Sequence, residues 1–355
     1  MNKNKSILFY SAKKYEIEFF EKFNKDYNFK IDYIESKLDN TFVNLAKGYD
    51  GICCFVHDDL NSFVLEKLAS YNIRVVALRC AGYNNVDLYS AYEKKIHILR
   101  VPIYSPHAVA EHTIGLILSL NRKIHRAYNR VKDLNFDITG FLGIDLYKKV
   151  AGVIGTGNIG KIVARILRLG FQMEVLSYDV KPDYDFAKEI GIKYSDLDEI
   201  YKKSDIITLH LPLTKDSIYL LNEKAFEKMK EGVIIINTSR GGLINTKDLI
   251  KYLKNKKIGG AGLDVYEEED EYFFQDYSAT GITDDLLARL LTFPNVLITA
   301  HQAFFTKEAM ENIAKVTLEN LKDFFSGLNL KNEICYKCGQ NIDSCNKQKY
   351  GRCFE

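Results

Sequence analysis

Val150-Ala151-Gly152-Val153-Ile154-Gly155-Thr156-Gly157-Asn158-Ile159-Gly160 is the stretch on which the fold turns. A short apolar strand, Val150 to Ile154, enters a G-x-G-x-x-G run, and a helix-like stretch follows. Val175 to Tyr178 reads as the next strand, and Asp179 closes it 19 residues after Gly160. Gly155 permits a tight strand-to-helix turn, Gly157 lets the backbone approach a pyrophosphate, and Gly160 lets the helix pack close to the sheet. The first N–H groups of that helix are unpaired and favour an anion. A carboxylate at Asp179 accepts hydrogen bonds from ribose hydroxyls and repels a 2'-phosphate, so NAD is expected over NADP. Glycines alone would decide little, because other turns before helices look similar. The flanking strands and the spacing to Asp179 carry the reading.

Working outward, 355 residues with 46% hydrophobic content and alternating strand and helix patterns imply a two-domain soluble α/β protein. Formal net charge is +2, from 49 basic and 47 acidic residues, which makes nucleic acid an unexpected partner. Apolar runs such as Ile114 to Leu118 and Val233 to Ile236 fall far below the roughly 18 to 20 residues of a membrane-spanning helix, so no membrane partner is expected. Lys3 and Lys5 precede only Ile7 to Tyr10, too short for a signal-peptide core, and a cytoplasmic location follows as the expectation.

Seven cysteines divide unevenly. Cys53 and Cys54 sit in an apolar strand, where neighbours face opposite sides, and read as small buried hydrophobes; Cys80 also lies in the body. Cys335, Cys338, Cys345 and Cys353 crowd the last 21 residues with spacing C-x2-C-x6-C-x7-C. The first pair has zinc-ligand spacing, but the second is wider than usual and the tail is short and polar. It therefore reads as a mobile appendage, and no metal is expected.

Strand candidates Ile7 to Tyr10, Phe29 to Ile34, Gly51 to Val56, Val75 to Leu78 and Ile96 to Arg100 form one α/β unit with helical stretches between them. A helix from His107 to about Arg130, apolar on nearly every side in its first half, opens a second unit and implies burial against another domain or subunit. Strands at Gly152, Val175, Ile206, Val233, Gly260 and Val296 then alternate with helices, as in a doubly wound parallel sheet. The expected division is residues 1–102 with 301–331 as a substrate domain, 103–300 as the nucleotide domain, and 332–355 as the cysteine tail. Two crossings would set a ligand cleft between the domains.

Three ionisable residues follow the ends of strands in the second unit: Arg240, Glu269 and His301. An arginine fork holds a carboxylate by two hydrogen bonds, a histidine exchanges protons near neutral pH, and a neighbouring carboxylate fixes the histidine ring. Taken singly, each has a bland reading as a surface ion pair or a structural residue. Together behind a nucleotide fold they suit hydride transfer to a 2-keto acid.

Over residues 5 to 331 the chain resembles the D-isomer-specific 2-hydroxyacid dehydrogenases, most closely their bacterial fermentative D-lactate branch. The segments that carry this are FVHDD (Phe55 to Asp59), LRCAGYNNVDL (Leu78 to Leu88), VPIYSPHAVAEH (Val101 to His112), LNRKIHRAYNR (Leu120 to Arg130), AGVIGTGNIGK (Ala151 to Lys161), LHLPLT (Leu209 to Thr214), NTSRGGLI (Asn237 to Ile244), LDVYEEE (Leu263 to Glu269) and HQAFFT (His301 to Thr306). The resemblance implies a Rossmann NAD domain beside a flavodoxin-like substrate domain. It implies Arg240 at the substrate carboxylate or keto group, His301 as acid/base and Glu269 as its partner. Arg79, Ala81 and Gly82, with Tyr104 and Phe304, are implied substrate contacts. Asn158 and Ile159 would meet the pyrophosphate, Leu211 and Pro212 would lie beside the adenine, and Thr238, Ser239 and Asp264 towards the nicotinamide. The implied activity is reduction of pyruvate to D-lactate with NADH by a homo-oligomer, a dimer or tetramer. A larger 2-keto acid or a non-catalytic NADH-sensing scaffold are the rival readings.

Overall fold

The computed structural model describes residues 4–337 and 345–354; Lys3 and Cys338 of the readings above lie outside them. The chain divides into two compact units, residues 1–105 with 306–355, and residues 106–305. In chain order the first unit opens with β1 (Ser6–Phe9), β2 (Lys30–Tyr33), β3 (Gly51–Cys54), β4 (Val75–Leu78) and β5 (His97–Leu99). The second unit carries β6 (Val150–Ile154), β7 (Glu174–Tyr178), β8 (Lys193–Tyr194), β9 (Ile206–Leu209), β10 (Val233–Asn237), β11 (Ile258–Leu263) and β12 (Val296–Ile298). The chain then returns to the first unit with β13 (Glu333–Ile334).

In the first sheet the order is β13-β5-β4-β3-β1-β2, all parallel except β13, which pairs antiparallel with β5. Without that edge strand the order is 2-1-3-4-5, the flavodoxin-like winding. The second sheet runs β12-β11-β10-β9-β6-β7-β8 and is parallel throughout. Counted from β6, that is the 3-2-1-4-5-6 winding with one strand added. Successive residues in a strand point to opposite faces, and here both faces are covered. Ala151, Val153, Val175, Ile234 and Ile236 join one core, while Ile154, Leu176, Ile207, Ile235 and Leu263 join the other. That is why β10 reads as an unbroken apolar run and is buried along its whole length. Asp183, Asp196, Asn222 and Asn245 start connecting helices by accepting a backbone N–H. Among the described residues no helix is long and apolar enough to cross a membrane.

Three expectations need correction. The helix foreseen from His107 to Arg130 is two helices, Pro106–Arg122 and Ile124–Lys132, broken at Lys123, whose φ is 51°. The first helix buries its apolar residues within the second unit. The exposed apolar surface comes later, at Tyr128, Leu134, Phe136, Ile138 and Leu142.

The second correction is the return crossing. Residues 301–305 belong with the second unit, because the His301 N–H donates to the Asp264 carbonyl at 2.7 Å and the N–H groups of Gln302 and Ala303 donate to the Asp264 carboxylate. The helix Lys307–Phe325, capped by Thr306, then packs on Lys14–Asn24 in the first unit.

The third correction is the tail. Its described residues are built into the first unit rather than mobile. Glu333 is buried, accepts from His97 Nδ1 at 2.6 Å and accepts the Cys353 N–H at 2.8 Å. Arg352 donates to the carbonyls of Asp323 and Phe324 in the last turn of the helix Lys307–Phe325, where carbonyls lack intrahelical partners, and to that of Leu328 just beyond it.

Candidate active site

At the end of β6 the chain turns at Gly155, with φ 93°, and a Cβ there would stand 2.5 Å from the His210 carbonyl oxygen. Gly160 is equally fixed, since a Cβ would meet the Gly155 carbonyl oxygen at 1.9 Å. Gly157, which caps the helix Asn158–Arg165, has no protein atom within 4 Å of a built Cβ. Two glycines are thus spent on the protein's own backbone, and the third faces open space, which is what close approach of a pyrophosphate needs.

Asp179 stands at the end of β7 and is held in place: Oδ2 accepts the Thr156 N–H at 2.7 Å and Oδ1 accepts the Lys181 N–H at 2.9 Å. It lines a cavity of about 500 Å³ with Gly155, Gly157, Tyr178, Leu211 and Pro212. Size, open glycine and oriented carboxylate all fit the adenosine and phosphate portion of a dinucleotide.

The same cavity includes residues that sequence reasoning passed over, notably His210, Thr214 and Ser217. Burial pushes the His210 imidazole down to about 3, so it is neutral at physiological pH, and it shares a hydrogen bond with Thr208. Ser217 Oγ accepts the Thr214 N–H and donates to the Pro212 carbonyl, which folds this loop. The LHLPLT motif pointed to the neighbourhood, but nothing in it marked these side chains.

Arg240 follows β10. Asn237 shapes the turn, accepting the Ser239 N–H and donating to the Arg240 carbonyl, and Ser239 Oγ donates to the Leu211 carbonyl at 2.6 Å. Thr238 Oγ1 pairs with Thr113 Oγ1 at 2.9 Å. At Gly241 a Cβ would lie 2.0 Å from the Tyr266 carbonyl, so only glycine brings the Arg240 turn this near the 266–269 segment. In that segment Glu269 Oε2 accepts the Tyr266 N–H at 2.8 Å. Glu269 Oε1 faces His301 Nδ1 at 2.6 Å, and both side chains are mostly buried.

His301 has φ 50°, a costly conformation for a residue with a Cβ, and Asp264 sustains it. Asp264, expected towards the nicotinamide, is fully buried: its carboxylate accepts from Thr299 Oγ1 at 2.5 Å and from the Gln302 and Ala303 N–H groups at 2.9 Å. His112 Nε2 closes the cluster on Thr299 Oγ1 at 3.0 Å. Glu269 and His301 are therefore brought into direct contact, Arg240 is set one turn away through Gly241, and Asp264 positions the histidine loop. Phe304, on the same loop, is buried.

The other implied substrate contacts lie in the first unit. Arg79 is corrected: its side chain is buried, with Nε to Glu16 Oε1 at 2.8 Å, Nη2 to the Ser11 carbonyl at 2.9 Å, and the guanidinium against the rings of Phe9 and Phe55. It is a core ion pair and its fork is not offered to a ligand. Ala81 and Gly82 follow on a half-buried loop, where Arg100 donates to the Ala81 carbonyl and the Cys80 thiol to that of Gly82. Tyr104 is partly exposed, and its carbonyl accepts from Asn312 at 2.8 Å.

Residues 114–303 match the D-isomer specific 2-hydroxyacid dehydrogenase NAD binding domain. The chain belongs to that family. It is an NAD-dependent 2-hydroxyacid dehydrogenase, and the matched NAD binding domain lies within its second unit. It is 46% identical over 325 residues to the D-lactate dehydrogenase of Escherichia coli, covering 92% of this chain and 98% of that one. Two solved structures share the fold. The pyruvate reductase of Chlamydomonas reinhardtii has a TM-score of 0.86 at 40% identity, with 93% of this chain and 98% of that one covered. The D-lactate dehydrogenase with NAD+ from Lactobacillus jensenii has a TM-score of 0.78 at 30% identity, with coverage of 93% and 99%.

Proposed function

We propose that this dehydrogenase reduces pyruvate to D-lactate at the expense of NADH. The observation that carries the reading is the Glu269–His301 pair, anchored at 2.6 Å beside the strand ends that form the NAD site. NADH supplies the hydride that adds to the keto carbon. Glu269 accepts the Nδ1–H of His301, which fixes the ring and turns Nε2 towards the reaction, where His301 as imidazolium gives its proton to the carbonyl oxygen. Arg240 holds the substrate carboxylate and keeps the keto group oriented. Asp264 secures the histidine loop from beneath. The names of the E. coli and Chlamydomonas relatives support pyruvate as the substrate.

The enzyme is further proposed to work as a homo-oligomer, with a second copy covering the exposed apolar segment from Tyr128 to Leu142, where Leu134, Ile138 and Leu142 are 79%, 80% and 91% exposed. NADH oxidation with pyruvate, 2-ketobutyrate, 4-methyl-2-oxopentanoate and phenylpyruvate, followed by chiral analysis of the product, tests the chemistry. The expected order puts pyruvate first in kcat/KM with D-lactate as product. A preference for a branched or aromatic acid would replace pyruvate while keeping the mechanism.

A further inference from the structure

The docked tail sets three thiols on the wall of one cavity. Cys335 follows β13, Cys345 precedes the short helix Asn346–Tyr350, and Cys353 lies just beyond it. Cys335 and Cys353 are buried and Cys345 is half-buried. With Tyr92, Lys337 and Asn346 they line a cavity of about 10 Å³, room for a single atom-sized occupant.

Their placement is set by groups other than sulfur. Glu333 holds the Cys353 N–H, Lys347 Nζ donates to the carbonyls of Lys331 and Glu333, and the Leu330 N–H donates to the Gly351 carbonyl. The surroundings differ from those of the body cysteines. Cys54 packs among Leu8, Ile52 and Leu78, and burial pushes the neighbouring Cys53 thiol up to about 12, so both behave as inert apolar groups. The tail thiols instead share their cavity with an ammonium and an amide.

We propose that Cys335, Cys345 and Cys353 bind a zinc ion that pins the carboxyl-terminal segment to the first unit. Thiolates are the preferred ligands of structural zinc, and three sulfurs on the wall of one small cavity, standing wider apart in the structure than the ligands of one ion, would be drawn in to fill three of its four positions. Each thiol loses its proton on binding, and the metal's two positive charges against three thiolates leave one negative charge. Lys337, on the cavity wall, offsets it; its Nζ lies 4.8 Å from the centre of the Tyr92 ring. The ion would fasten Cys345 and Cys353 to Cys335 beside the edge strand β13, adding to the hydrogen bonds and to the packing of Phe354 on Tyr92 and His97.

The test is metal content of the full-length enzyme, purified without chelators. About one zinc per chain is expected by mass spectrometry of the elements, falling roughly tenfold in Cys345→Ser and in Cys353→Ser. Cobalt(II) in place of zinc should show a thiolate charge-transfer band in the near ultraviolet that Cys345→Ser weakens. Should Cys353→Ser fail to fold, the half-buried Cys345 carries the test. A chain that stays free of zinc after incubation with excess metal overturns the proposal. So does zinc that survives both substitutions, or a disulfide joining these cysteines in the intact mass of the freshly purified enzyme. None of these readouts depends on which keto acid is reduced.

Discussion

The two units wind parallel sheets by the same logic, yet their first turns are put to opposite uses. After β6 the chain runs Gly155-Thr156-Gly157, and the strand ends open onto the 500 Å³ cavity that Asp179 lines. After β1 it runs Tyr10-Ser11-Ala12, and the equivalent space is filled from within. The Ser11 carbonyl accepts Arg79 Nη2, and Ser11 Oγ donates to the buried Asp58 at 2.7 Å. Asp58 also takes the N–H groups of Leu38 and Phe55. A doubly wound sheet thus offers a site at its carboxyl edge only where side chains leave it vacant. In the second unit glycine removes them, and in the first Arg79, Glu16 and Asp58 occupy it.

Arg79→Ala should break that contrast most severely. It leaves the Glu16 carboxylate buried without its partner, at a cost of about 3 to 5 kcal/mol to the first unit. Urea unfolding should register this loss, while NADH affinity, measured below the transition, stays within about twofold because the NAD site lies in the other unit. A large loss of NADH binding in the folded variant would mean that the units are not independent in this way.

His210 supplies the next test, on the glycine side. Its imidazole is held neutral in the fold, with its pKa lowered from 6.5 to about 3, whereas the unfolded chain takes up a proton below about pH 6.5. Stability of the ligand-free enzyme therefore falls as pH drops from 6.5 towards 3, with this residue contributing up to about 1.4 kcal/mol per pH unit. His210→Gln should remove that share of the slope. Parallel wild-type and variant profiles between pH 6.5 and 4.5 would count against a neutral, half-buried ring.

Asp179→Ala should narrow a preference for NADH over NADPH of at least about tenfold, worth about 1.4 kcal/mol, measured as the ratio of kcat/KM for the two cofactors. An unchanged ratio would remove Asp179 from cofactor choice. Gly157→Ala is the mildest change. No protein atom opposes its Cβ, so stability should shift by no more than about 1 kcal/mol, while NADH affinity falls roughly tenfold if the pyrophosphate lies against this residue. Unchanged affinity would place the pyrophosphate elsewhere.

Features written in local pattern were legible in the sequence. The glycine spacing, the apolar runs of β6 to β11 and Asp179 at a strand end are all short-range signals of a doubly wound nucleotide fold, whereas the flavodoxin-like winding of the first unit was implied by the family resemblance. Arg79 was misread because its partner Glu16 is 63 residues away, and a motif says nothing of which acid an arginine finds. The anchoring role of Asp264 was hidden for a related reason, since its carboxylate serves backbone N–H groups almost 40 residues later. The helix break at Lys123 has no glycine or proline to announce it. The tail looked mobile because it has little apolar surface, but it docks through long-range partners: Glu333 meets His97 across 236 residues, and the Phe354 ring packs on Tyr92 and His97.

The central claim is that the second unit binds NADH at its glycine turn and that His301, steadied by Glu269, delivers the proton. His301→Ala in stopped-flow and steady-state pyruvate reduction, with NADH affinity measured by fluorescence on the same sample, tests it most directly. The account predicts a fall in turnover of about 100-fold or more with NADH affinity within about twofold. Near-normal turnover, or a loss confined to NADH binding, would contradict it.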